Sequence, residues 1–219
     1  MLLYENYIPQ NQRKEAVKKI KDIASLLDIN PNDIMIVIFA ESRFSTTVKN
    51  SIGCVGIIQF CPDRAGGANK TIGGKVYSLL DIQKMTWVQQ LELSYQFWKP
   101  YKNYIFDLYD LYLATFYPLA LRKDDKFIFG IEVSDARARS IASQNPAISK
   151  GHKYITKPIF RDYIKRQLLL AGVPEKDISS KSNLRVFRKF VNRNTVPIVI
   201  LGGAFIASGI YIIVNRNKI

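Results

Sequence analysis

The chain has 219 residues, 47% of them hydrophobic, which is enough to enclose a core and excludes an intrinsically disordered chain. A formal net charge of +14 with a single histidine makes any partner reached by long-range attraction anionic: nucleic acid, anionic lipid or cell-wall polymer. Two cysteines and one histidine leave no ligand set for a zinc centre, so neither a metal nor a cofactor is expected.

The opening stretch MLLYENYIPQNQRK has an early tyrosine and glutamate, no long apolar run and no small-residue cleavage site, so it does not read as a secretory signal. Val17, Ile20, Ile23, Ala24 and Leu27 then recur at helical spacing, which predicts a helix over 11–27. Asn30-Pro31 begins the next one, since proline suits a first helical turn. That second helix, PNDIMIVIFAES, is apolar nearly all round and is expected to be central and buried. Glu41 stands at its end, between Phe39 and Phe44. A carboxyl there is expected to lose hydration and gain a raised pKa, which suits a general acid at neutral pH. The competing reading is a surface glutamate capping a helix, and periodicity does not choose between the two.

A glycine-rich stretch follows, in which Cys54 and Cys61 read as small buried residues, with a local disulfide as the lesser alternative. TIGGKVYS reads as a loop or short hairpin. Further helices are predicted over 87–98, 105–121, 134–142 and 157–171, with no internal repeat, so the fold class is all-α. VPEKDISSKSN is a polar connector, and LRVFRKFVNRN a basic, aromatic segment suited to lipid headgroups. The stretch from Thr195 to Val214 carries no charge over 20 residues. At about 1.5 Å per residue it matches the roughly 30 Å hydrocarbon core of a bilayer, so lipid is an expected partner there. The competing reading, a buried core helix, is disfavoured by its length and all-round apolarity. Gly202, Gly203 and Gly209 form no GxxxG pair. The expected organisation is a helical domain over 1–172, a linker over 173–194, a transmembrane helix over 195–214 and a short basic tail over 215–219.

The pattern after Glu41 is the most specific in the chain. ESRF is followed by GCVGIIQFCP, with Gly53, Gly56, Gln59 and Pro62, and Gln59 lies 18 positions after Glu41. This resembles the two-part signature of the soluble lytic transglycosylase family: E-S-x-F, then G-x-x-G, two hydrophobic residues and Q-x-x-P. A third family motif, A-A-Y-N-A-G, falls on LATFYPLA, where Ala114 is kept, Thr115 replaces the second alanine, Phe116 stands at the tyrosine position and Tyr117 at the asparagine. MTWVQQLELSYQFWKPY and NPAISKGHKYITKPIFRDYI are similar to later segments of phage-type members, so the resemblance covers about 35–170. It implies a lysozyme-like fold with Glu41 as the acid/base and Ser42 orienting its carboxylate. Gln59 and the backbone around Ile57 and Ile58 would hold the sugar N-acetyl groups, with Phe116 as a stacking or wall contact. A phenylalanine cannot donate the family tyrosine's hydrogen bond to the glutamate, and Tyr117 is the candidate to replace it.

The implied substrate is the peptidoglycan glycan strand. In the family's scheme one residue first protonates the bond between N-acetylmuramic acid and N-acetylglucosamine, then takes the proton of the muramyl 6-hydroxyl and closes a 1,6-anhydro ring. A goose-type lysozyme, for which Asp63, Glu92 and Asp107 would be the second carboxylates, is the runner-up enzyme. A catalytically inactive, membrane-anchored virion structural protein is the reading from another class. No specific nucleic acid is expected, because much of the basic charge flanks the span and suits anionic lipid. Arg185, Arg188, Lys189 and Arg193 precede the span, against Arg216 and Lys218 after it, so the positive-inside rule leaves the domain on the cytoplasmic side, where there is no peptidoglycan. That orientation fits a phage virion assembled around a host-derived membrane, with other virion membrane or capsid proteins as partners. The bacterial inner membrane is the alternative location.

Overall fold

The apolar stripe read between residues 11 and 27 becomes α1 (Gln10–Leu27), which buries Ala16, Ile20, Ile23, Ala24 and Leu27. It ends as Asp28 turns left-handed, at φ 55°, and the Ile29 N–H reaches back to the Ala24 carbonyl at 3.0 Å. The computed structural model describes residues 1–170, which are mostly helical.

In α2 (Pro31–Ser42) the Asn30 side chain caps the first turn by accepting the Asn32 N–H at 3.0 Å, and Pro31 occupies a position that needs no donor. Ile34, Met35, Ile36, Val37 and Ile38 are all at most 1% exposed, each contributing roughly 1.5–3 kcal/mol by burial. Such all-round burial requires neighbours on every side, and α2 packs against both α1 and α5 (Leu108–Phe116).

The segment TIGGKVYS and the residues before it form a hairpin of β1 (Asn69–Ile72) and β2 (Lys75–Ser78), antiparallel with Ile72 opposite Lys75. Gly73 and Gly74, at φ 58° and 81°, supply the two positive values that a tight two-residue hairpin turn demands. A short α3 (Leu79–Lys84), capped by Ser78, leads to α4 (Trp87–Trp98), where Thr86 and Gln89 form a reciprocal capping box. α4 packs along α1, with the Trp87 N–H bound to Gln12 at 3.0 Å and a Lys19–Glu92 ion pair between the helices.

The helix expected over 105–121 is shorter. Asp107 caps α5 by accepting the Asp110 N–H at 2.9 Å, which fixes the start, and Pro118 forces the chain out of the helix, with Tyr117 at φ −147° and ψ 75°. The chain continues as a 3-10 turn, Pro118–Arg122. α6 (Asp135–Gln144), a single turn α7 (Pro146–Ser149) and α8 (Lys157–Leu170) complete the described part. No single helix among the described residues is long and apolar enough to cross a membrane. The expected linker, the span from Thr195 to Val214 and the basic tail lie outside the described residues.

Candidate functional site

Glu41 is the next-to-last residue of α2, so a helix buried nearly all round delivers its carboxyl. The carboxyl accepts a hydrogen bond from the hydroxyl of Tyr112 on α5. Tyr112 is 1% exposed, and its oxygen lies 3.3 Å from that of Tyr163 on α8. Three helices therefore converge on one carboxyl. Burial pushes the Glu41 pKa up to about 7, and the Tyr112 hydrogen bond, which favours the ionised form, opposes it without cancelling it. The same burial, reinforced by the charge of Glu41, pushes the Tyr112 phenol well above its ordinary value. Glu41 as a residue keeps some accessible surface, although its carboxyl sits in a desolvated position.

The rings that flank Glu41 in the sequence, Phe39 and Phe44, pack against other aromatic side chains. Phe39 is stacked on Tyr4 with centroids 4.6 Å apart and carries the Arg43 guanidinium 3.9 Å above its ring. Phe44 stacks on Trp87 at 5.9 Å and on Tyr7 at 5.6 Å. These contacts fix the chain as it leaves α2, where Arg43 and Phe44 stand consecutively at φ 49° and 66°. Successive left-handed residues are unfavourable for side chains of this size, and the packing of both rings holds them there.

The glycine-rich stretch folds into a tight turn. Val55 and Phe60 exchange both backbone hydrogen bonds, at 3.1 and 2.7 Å, and one step outward Cys54 and Cys61 are joined by a disulfide with S–S 1.98 Å. The reading as two small buried residues is thus corrected: Cys54 is buried, but Cys61 is exposed, and opposition across a two-stranded turn brings the sulfurs together. Inside this ring Ile57 and Ile58 are buried as whole residues, at 0% and 3% exposure, and the Ile57 N–H is held by Gln90 at 2.9 Å. Gln59 has φ 52°, and its side-chain amide folds back to donate to the Gly56 carbonyl at 3.1 Å.

The Ser42 hydroxyl donates to the Ile38 carbonyl at 3.1 Å within its own helix. Phe116 stacks on Phe160 at 5.1 Å, and Phe160 in turn meets Tyr112 edge-on at 5.2 Å, so Phe116 belongs to the aromatic cluster that backs Tyr112. Tyr117 stacks on Phe129 at 5.0 Å and donates its hydroxyl to Glu132, which helps raise its pKa, after burial, to about 12. The hydroxyl that reaches Glu41 is that of Tyr112, four residues before Phe116, and the sequence pattern does not single it out. Thr115 serves the scaffold, its hydroxyl accepting the indole N–H of fully buried Trp98 at 2.9 Å.

The other carboxylates weighed as catalytic partners are tied into the scaffold. Asp63 accepts the Thr71 N–H at 2.8 Å and pairs with Lys70; burial raises its pKa, but these bonds together bring it below the ordinary range. Glu92 pairs with Lys19 and Gln96, which lowers its pKa. Asp107 caps α5. Among the described residues no group of His, Cys, Asp and Glu side chains is arranged to hold a metal ion. Comparison with protein-family models, curated proteins and solved structures returns no match to this chain.

Proposed function

We propose that the chain is a peptidoglycan-cleaving lytic transglycosylase with a lysozyme-like domain, anchored in a membrane through residues 195–214. The observation that carries this reading is the single carboxyl of Glu41, desolvated to a pKa of about 7 and bound by Tyr112 at the end of a buried helix, in a chain bearing the E-S-x-F and G-x-x-G-I-I-Q pattern. A group that is half protonated at neutral pH is suited to act first as acid and then as base. Glu41 would give its proton to the glycosidic oxygen, and the carboxylate left behind would take the proton of the muramyl 6-hydroxyl as that oxygen closes on the anomeric carbon. Tyr112 would hold the carboxylate during the interval in which it is charged. The structural occupation of Asp63, Glu92 and Asp107 favours this one-carboxylate scheme over a hydrolase with two.

The Cys54–Cys61 disulfide fits a domain that works in an oxidising space, and peptidoglycan lies outside the reducing cytoplasm. A virion membrane that is carried to the cell wall is the setting we favour. The direct test is clearance of purified peptidoglycan by the full chain in detergent and by Glu41→Gln. The parent is expected to cleave and the variant to lose about 10²–10⁴ in rate. Equal clearance by both would remove Glu41 from the chemistry.

A further inference from the structure

Gln90 reads in sequence as one more polar residue of α4, in the run WVQQLELS. Glutamine is mostly found exposed, yet this one is fully buried, and its amide joins three separate segments. The Oε1 accepts the Ile57 N–H at 2.9 Å, while Nε2 donates to the Thr46 and Ile82 carbonyls, each at 2.8 Å. The amide orientation is fixed by its partners, since an N–H needs an acceptor and two carbonyls need donors. Gly56 is part of the same arrangement: it has φ 77°, and a Cβ there would sit 2.6 Å from Gln90 Oε1. A freely moving side chain would yield to such a Cβ, but Gln90 would have to give up buried hydrogen bonds.

We infer that Gln90 is a positioning residue that sets the Gly56–Gln59 turn at a fixed distance from the segment leaving Glu41, and thereby the register in which a glycan strand meets the acid. The inference rests on the proposed function for its chemistry and on the hydrogen bonds above for its geometry. Thr46 lies five residues beyond Glu41 and Ile57 two before Gln59, so the amide spans the gap between the acid's side of the site and the sugar's side. The side-chain hydrogen bonds of Gln90 go to Ile57, Thr46 and Ile82 and not to Glu41 or Tyr112, so its loss should act on substrate placement rather than on the proton of Glu41.

The test uses the full chain in detergent, with Gln90→Met and Gln90→Glu compared with the parent. Gln90→Met keeps the length and loses every hydrogen bond. It is expected to raise KM on soluble glycan strands by on the order of ten- to a hundredfold, with a smaller change in kcat and no movement of the pH limb belonging to Glu41. Amide hydrogen exchange should show Ile57 losing protection while α2 and α5 keep theirs. A protonated glutamic acid mimics the amide, accepting from Ile57 and donating to a carbonyl, so the activity of Gln90→Glu relative to the parent should recover as pH falls. An unchanged KM with Ile57 still protected would overturn the proposal, as would a loss of protection spread evenly through the molecule. If Gln90→Met does not fold, Gln90→Glu alone decides, and a flat ratio across pH would overturn it. A parent that cleaves no peptidoglycan would refute the proposed function, while Ile57 exchange and sedimentation with insoluble peptidoglycan would still decide whether Gln90 sets the turn.

Discussion

At Glu41 the physical chemistry makes a claim that needs no substrate. Unfolded, this carboxyl loses its proton near 4.5; folded, it holds the proton to about 7. The folded pKa is the raised one, so the stability linked to this group is whole below pH 4.5 and is lost as pH rises through about 7. The loss amounts to at most roughly 3 kcal/mol, and somewhat less because Glu41 keeps some contact with solvent. Glu41→Gln removes the charge that must be buried, so this variant should melt higher than the parent at about pH 8.5, by on the order of 5 °C, with the gap closing below pH 4.5. Thermal denaturation at the two pH values checks this, and a constant gap would mean that the carboxyl is not desolvated. The two tyrosines separate in the same way. The Tyr112 hydroxyl lowers the Glu41 pKa, so Tyr112→Phe should slow cleavage and move the alkaline limb of its pH profile upward. Tyr117→Phe should leave that limb in place, because its hydroxyl serves Glu132.

At the scale of the elements, the disulfide closes a ring of a few residues around the Gly56–Gln59 turn. Replacing both Cys54 and Cys61 by alanine should cost roughly 2–3 kcal/mol, measured as a lower midpoint in urea, and reduction of the parent should give a loss of the same size. α1, α2 and α4 were legible in the sequence because one-sided spacing, a proline at a first turn and an apolar run all act locally. α5 was legible in existence but not in length, since the caps that bound it, Asp107 and Pro118, compete with an apolar pattern that runs past both. The site was legible only where it is continuous in sequence. Glu41 and Gln59 stand in one stretch, whereas Tyr112, Tyr163 and Gln90 reach the site by tertiary packing. Each of those three looks, along the chain, like an ordinary residue of an amphipathic helix. Tyr112 in particular belongs to an apolar run in which a tyrosine reads as core, and only the approach of α2 to α5 gives its hydroxyl a partner.

For the whole molecule, the proposal joins a helical domain that cleaves a polymer to an apolar segment that holds it at a bilayer. Removing residues 195–219 should convert a detergent-requiring protein into a water-soluble one that still clears isolated walls, because every residue of the site lies upstream. Loss of both solubility and folding would instead make that segment part of the core. Whether one carboxyl serves as acid and then as base is read from the masses of the products released from purified peptidoglycan. One-carboxylate chemistry should release muropeptides ending in 1,6-anhydro-N-acetylmuramic acid, lighter by one water than their reducing counterparts, and absent from digests by Glu41→Gln. Products ending in hydrated reducing sugars would contradict it and require a second group to activate water.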